Sequence, residues 1–252
     1  MTNGTERTVE VAIIAAMERE LAPLIADWEL AMLEADDGRP FICFEGPGVV
    51  AVFAGMGCER AEGAASAAVK QYSPRALVSA GLAGALIRSL KVGSVVLPNV
   101  IINAASGTEY RCNLGGDVIG GGVLVSNFEI AGRRGKPELV ECFHALVVDM
   151  EAAGVAKVAM ENDLRFRCVK AVSDELDFEM PPLNQFVSGG ELQTGRVARW
   201  AAVRPRYWPA MVALARNSHR ASKALCDWLR TSLATGLQTA RVVTLNGEYL
   251  KG

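Results

Sequence analysis

The sequence predicts an α/β fold with a largely parallel sheet in one domain, on three observations. Short apolar, β-branched runs alternate with stretches of helical spacing. Several of those runs end in polar or glycine-rich segments. The chain has 252 residues, 50% of them apolar and 21% charged, enough to bury one large core without a disulfide or metal staple.

Residues 9–16, VEVAIIAA, form a nearly continuous apolar run, the pattern of a strand buried on both faces. Residues 18–28 then place Leu21, Leu24, Ile25 and Trp28 at helical spacing. Residues 41–44 and 49–53 read as two strands joined by a Gly-Pro-Gly turn. The Ala-rich residues 60–72 form a helix stopped at Ser73-Pro74. A buried strand at 76–80 is followed by Gly81-Leu82-Ala83-Gly84, read as a small-residue turn. Strands are expected at 94–100, 122–125, 146–148 and 165–172, and a helix at 152–162. Residues 103–122 are polar and glycine-rich, a long loop. Residues 180–195 read as a loop or lid. No internal repeat or linker interrupts the chain, so one domain over residues 1–252 is expected, with a basic, helical C-terminal extension at 196–252.

Composition narrows the function. The formal charge is −2, so no nucleic-acid partner is expected, because a phosphate backbone demands a basic surface. No apolar run reaches the length of a membrane span, and residues 1–10 lack the apolar core of a signal peptide. The six cysteines are scattered without a CxxC pair. They read as reduced thiols of a cytoplasmic protein. Only His144 and His219 are present, and both read as structural. Histidine-rich metal sites are not expected.

In α/β sheets ligands sit beyond the carboxyl ends of the strands. That rule brings together Glu18 and Glu20 after the first strand, residues 81–84, Met150-Glu151, and Asp174. Asp174 ends a buried strand, where a dry carboxyl can act as an acid; the alternative is a helix N-cap. Glu151 lies where a strand passes into a helix. It suits a ribose diol, or is a first-turn acid facing the helix dipole. Asp149, two residues away, makes a pair of acids that the dipole explains less well. One of Glu18 and Glu20 can activate water while the other is solvated, and the residues alone leave the choice open. The Gly-Leu-Ala-Gly segment can present backbone N–H groups to an anion, without any phosphate-loop motif.

The segments AIIAAMEREL, AGMGCERA, VSAGLAGAL with LKVGSVVLP, VVDMEAAGVAKVA and RCVKAVSDELD occur in that order. Together they resemble the purine nucleoside phosphorylase and nucleosidase superfamily, in particular its methylthioadenosine/S-adenosylhomocysteine nucleosidase branch, over residues 9–177. The resemblance implies a central mixed sheet, partly closed into a barrel and flanked by helices, that cleaves the C1′–N9 bond of an adenine nucleoside. It implies that Asp174 protonates the base at N7, that Glu151 holds the 2′- and 3′-hydroxyls with Met150 packing on the sugar, and that Glu20 activates water. Asp149, Ser173, Leu82, Ala83 and Gly84 are the further candidate substrate contacts, and Phe128 and Ile130 match the segment that packs on the base. It also implies that no metal or redox cofactor is needed, and a homodimer in which residues 103–122 close the neighbour's site.

Two departures bear on the nucleophile and the substrate. Leu82 stands where the family carries Ser or Thr, and no arginine lies between Arg75 and Arg88. Water is therefore favoured over phosphate. Residues 196–230 hold eight basic residues and one acid, with Trp200, Trp208 and Trp228. Through RPRYWPAMVALARNS and Leu82 the chain is also similar to the hopanoid-associated branch, which removes adenine from adenosylhopane. Two readings of this stretch follow. It is a core-packed helix with a solvated basic side, or a peripheral membrane surface whose Trp200, Tyr207 and Trp208, with residues 180–186, line an apolar 5′ pocket. A non-catalytic nucleoside-binding protein on the same fold is the alternative from outside enzymology.

Overall fold

The computed structural model describes residues 9–113 and 121–235. The chain opens with β1 (Val11–Ala15), α1 (Glu18–Ile25) and a meander of β2 (Glu29–Glu34), β3 (Pro40–Gly46) and β4 (Val49–Phe53). The helix α2 (Cys58–Tyr72) leads into β5 (Ala76–Ala85). Four short strands follow: β6 (Val95–Val96), β7 (Val100–Asn103), β8 (Glu109–Arg111) and β9 (Val123–Ser126). Then come α3 (Lys136–Phe143), β10 (Val147–Asp149), α4 (Ala152–Glu161) and β11 (Arg165–Asp174). A small hairpin, β12 (Val187–Ser188) and β13 (Glu191–Leu192), precedes α5 (Thr194–Ala202) and the 27-residue α6 (Trp208–Ala234).

One eleven-stranded mixed sheet runs β2-β3-β4-β1-β5-β10-β9-β7-β8, with β11 joining β5 to β6. Strand β5 is its pivot. Along one edge it pairs first with β1 in parallel, then with β10 antiparallel. Its other edge carries β11 in parallel from Ala76 to Gly84. Side chains of β1 divide between the faces with the period of two that a strand imposes. Ala12 and Ile14 enter the core shared with α2 and α4, while Val11, Ile13 and Ala15 enter the core beneath α1 and α6. The result is helices on both faces of a mixed sheet, as the resemblance implies; the largely parallel sheet read from the strand–helix alternation is corrected, because the β2-β3-β4 meander and the β5–β10, β6–β11 and β7–β8 pairs are antiparallel.

Several elements differ from their expected form. Strand β2 was not foreseen, because Leu30 and Met32 are exposed and only Leu33 is buried, so no clean alternation marks it. Gly81–Gly84 is not a turn; it is strand, in register with Lys170–Asp174 of β11. The 103–122 segment contains β8, hydrogen-bonded to β7. The helix α3 also went unread. Residues 1–8, 114–120 and 236–252 lie outside the described residues, and with them most of the predicted N-terminal segment, part of the proposed dimer loop and the end of the basic extension. No helix among the described residues is long and apolar enough to cross a membrane.

Candidate active site

A cavity of about 590 Å³ opens beyond the carboxyl ends of β1, β5, β10 and β11, a volume that suits a small molecule. Its polar floor comes from segments far apart in the chain: Glu20 on α1, residues 82–84 on β5, Met150 and Glu151 after β10, and Ser173 and Asp174 at the end of β11. Its outer wall is apolar. Met180, Leu183 and Leu192 contribute from the lid, Val197 from α5, and Met211 and Leu214 from α6.

Glu20 and Glu18 are separated by the turn of α1. Glu20 faces inward and is 5% exposed, whereas Glu18 is solvated. Burial pushes the Glu20 carboxyl above its ordinary value, while the nearby Lys170 ammonium and the Met17 backbone N–H pull the other way. Glu151 is placed at the N-terminus of α4 but does not cap it. Its carboxylate accepts the N–H groups of Gly57 at 3.1 Å and Met150 at 3.2 Å. Burial first, and then the charge of Asp149, push Glu151 up to about 8.

Asp149 turns out to be the buttress of this cluster. One carboxylate oxygen accepts the Ser126 hydroxyl at 2.6 Å; the other takes the Ala152 N–H at 2.9 Å and the Lys170 ammonium at 2.7 Å. Asp149 lines the cavity, as the sequence predicts, but its side chain has no exposed surface and its carboxylate is engaged within the wall. Lys170 is itself buried. Burial opposes its charge, but the surrounding Asp149 and Glu151 carboxylates prevail and raise its pKa. One cation thus sits among Asp149, Glu151 and Glu20; burial is the main cause that raises Glu20 and Glu151, and for Glu151 the Asp149 charge adds to it.

Asp174 does not cap a helix. Its carboxylate accepts the Ser173 hydroxyl at 3.0 Å and faces the Lys136 ammonium at 2.5 Å. The two glycines of Gly81–Gly84 are explained by these carboxylates. A Cβ on Gly81 would stand 3.0 Å from Glu20 Oε2, and one on Gly84 would stand 2.9 Å from Asp174 Oδ2. The strand is bare at those two points so that the acids can approach it.

Among the other sequence-predicted residues, Met150, Ser173, Leu82, Ala83, Gly84 and Ile130 line the cavity. Ile130 is fixed against the lid by the Asn184 side chain, which accepts its N–H at 2.9 Å. Phe128 does not join them. It is 75% exposed and borders a neighbouring depression with Arg60 and Asn103. Trp200, Tyr207 and Trp208 also lie off the cavity. Trp200 stacks between Phe186 and Tyr207, at 5.5 and 4.7 Å, behind the lid. Among the described residues no cluster of three His, Cys, Asp or Glu is placed to hold a metal ion.

Residues 10–133 match the family model of the phosphorylase superfamily. Over that stretch the chain is similar to the phosphorylase superfamily. A stretch of 95 residues is 33% identical to the 5′-methylthioadenosine/S-adenosylhomocysteine nucleosidase of Shewanella sp. (strain MR-7), covering 37% of this chain and 40% of that relative. The chain thus aligns with about two fifths of the length of the curated relatives it matches. The fold is similar to that of the corresponding nucleosidase from Neisseria meningitidis in complex with methylthio-immucillin-A, with TM-score 0.66, 20% identity, and 89% of this chain and 98% of that one covered. It is equally similar to the futalosine hydrolase of Helicobacter pylori, with TM-score 0.66, 13% identity and coverage of 90% and 98%.

Three residues in or beneath the cavity carry roles that the sequence motifs do not include. Lys170 could have been found: it is a charged residue in the apolar strand RCVKAVSD, four residues before Asp174. His219 could also have been found, since Met211, Leu214, Ala215, Ser218 and His219 repeat at three and four residues and form the face of α6 on the cavity. Lys136, within GRRGKPEL, carries no local signal.

Proposed function

We propose that the protein hydrolyses the N-glycosidic bond of an adenine nucleoside bearing an apolar 5′ substituent. The observation that carries this reading is the convergence of Asp174, Glu151 and Glu20 on one cavity with an apolar outer wall. The base lies by Asp174, the ribose by Glu151 and Met150, and the 5′ group against Leu183, Met211 and Leu214. As the C1′–N9 bond breaks, positive charge grows on the ribose and its electron pair enters the purine. A proton delivered at N7 stabilises that leaving group, worth about 10²–10⁴ in rate. Glu151 accepts both hydroxyls of the diol and, with Glu20, stabilises the ribose cation in a dry site. Glu20 takes the proton of the attacking water. Its elevated proton affinity suits a base, since a carboxylate at its ordinary value is a weak one.

Water, not phosphate, is the nucleophile in this reading. Leu82 presents an apolar surface to the cavity, and the basic residues lining it are Arg19 and His219. The test is release of free adenine from 5′-methylthioadenosine, adenosine and longer 5′-alkylthio nucleosides, with and without phosphate. Adenine with free sugar at a phosphate-independent rate is expected. A strict phosphate requirement, with the sugar 1-phosphate as product, overturns the hydrolytic assignment; no adenine from any of them overturns the enzyme reading.

The finer expectations concern surroundings and assembly. Val203, Trp208 and Val212 are exposed apolar residues, at 74%, 52% and 67%, next to the exposed Arg204, Arg206 and Arg216. This supports contact with anionic membranes through residues 196–230, each arginine contributing about 1 kcal/mol at the surface; the free cysteines support a cytoplasmic location. Co-sedimentation with anionic vesicles, lost at high salt, is expected; equal recovery with neutral vesicles argues against it. A homodimer is the expected assembly, to be read by analytical ultracentrifugation.

A further inference from the structure

Asp174 faces a cation that does not line the cavity. Lys136 opens α3 and is fully buried; its ammonium lies 2.5 Å from Asp174 Oδ2 and donates to the Glu175 carbonyl at 2.9 Å. A cation in the first turn of a helix opposes the helix dipole, and burying it costs solvation. Its partner is what holds it there. The other Asp174 oxygen accepts the Ser173 hydroxyl. Both oxygens are therefore engaged by donors, the arrangement of an ionised carboxylate. Yet an acid must carry a proton when its leaving group departs.

We propose that Lys136 is the proton reserve of Asp174. The proposal rests on the nucleosidase reading above. In the resting protein the pair is ammonium and carboxylate. As the C1′–N9 bond breaks, one proton passes from Nζ to the Asp174 carboxylate and one from Asp174 to N7 of the purine. Lys136 ends as a neutral amine and Asp174 as a carboxylate. Water adds to C1′ and gives its proton to Glu20, and that proton returns through solvent to Lys136 once the products leave. The sum is nucleoside and water in, purine and free sugar out. A neutral amine–acid pair needs less solvation than an ion pair, so a substrate that expels water from the cavity favours the transfer. Lys136 touches no reacting atom and acts as a positioning residue through Asp174.

The other charges around the pair are engaged elsewhere. Glu175 is bound to Lys91, Asp177 to Arg88 and Glu179 to Arg133. Glu138 lies on α3 itself. Across the cavity stand Glu20 and Glu151 with the Asp149–Lys170 pair, and Arg19 and His219 border its opening. Among the described residues Lys136 is the cation in contact with Asp174.

The experiment uses the full chain with Lys136→Arg and Lys136→Met. It measures kcat and KM for adenine release from 5′-methylthioadenosine over about pH 5 to about pH 10, and follows the Asp174 side-chain carboxyl by NMR. Arginine keeps the charge but cannot give up its proton, so kcat should fall about 10²-fold with KM nearly unchanged. In Lys136→Met, Asp174 must hold its own proton. Its carboxyl should titrate at higher pH than in the parent, and the alkaline limb of kcat should move down by about one pH unit or more. Parental kcat in the arginine variant, an Asp174 titration unchanged in the methionine variant, or a methionine profile of parental shape each overturns the proposal. If Lys136→Met does not fold, the arginine variant decides. Absence of adenine from the parent, with the Asp174 signal still displaced in Lys136→Met, refutes the nucleosidase reading while leaving the Lys136–Asp174 coupling intact.

Discussion

Lys170 donates to Asp149 at 2.7 Å, both side chains closed off from solvent beneath the floor of the cavity. Strand β11 supplies the cation and the end of β10 the carboxylate, and β5 lies between them in the sheet. The pair therefore ties β10, which leads into Glu151, to β11, which carries Asp174, on either side of β5. Removing one partner strands a buried charge, whereas removing both leaves an apolar gap. Lys170→Met should lower stability to urea by about 3–5 kcal/mol, and Lys170→Met with Asp149→Asn should recover part of the loss. A single variant as stable as the parent would show that the pair is not what sets the floor.

Asp174→Asn tests the acid. Asparagine keeps the shape and can still accept the Ser173 hydroxyl, but it leaves the buried Lys136 ammonium without its counter-charge, so stability to urea should also fall, by about 3–5 kcal/mol. Turnover should fall about 10²–10⁴-fold, with KM much less affected. Near-parental turnover would remove Asp174 from the acid role.

The proton on Glu151 predicts how substrate and stability respond to pH. Burial, then Asp149, raise this carboxyl from about 4.5 to about 8. A carboxylate that must accept two hydroxyl protons works best ionised, so ribonucleoside affinity should strengthen as pH rises through about 8. A 2′,3′-dideoxy analogue should show no such trend, and Glu151→Gln should abolish it. Stability without ligand runs the opposite way. The folded protein keeps a proton that the unfolded chain has released above about 4.5, so the contribution of Glu151 is complete below that pH and is lost as pH rises through about 8. Calorimetric melts across that interval should show a falling transition temperature, flattened in Glu151→Gln.

Met211 on α6 tests the apolar wall. Met211→Ser should raise KM for 5′-methylthioadenosine about tenfold or more and leave adenosine nearly unchanged, as expected when apolar contacts to one substituent are lost. Equal losses for both substrates would place the 5′ group elsewhere.

The sheet was legible because β1, β5 and β11 are buried on both faces and read as apolar runs whatever surrounds them. The helix face of α1 separates Glu20 from Glu18, but two acids two residues apart look alike until the register of the helix is known. Gly81 and Gly84 misled for a different reason. Glycine alone reads as a turn, whereas here it answers to Glu20 and Asp174, which arrive from about 60 residues before and 90 after in the chain. Lys136 is silent in sequence because its meaning depends entirely on a partner 38 positions away. Trp200 packs on Phe186 and on Tyr207, so its aromatic surface serves the lid and not the cavity.

The long parallel pairing of β5 with β11 also governs the order in which the molecule can be made. Ala76–Gly84 has its second neighbour only when Arg165–Asp174 has emerged from the ribosome. Until then its bonding edge is open, the kind of edge that invites association with other chains. Contacts so distant along the chain close late and slowly. Glu20 and Asp174 thus come to line one cavity only after β11 has been made, and the α6 residues of its outer wall follow later still.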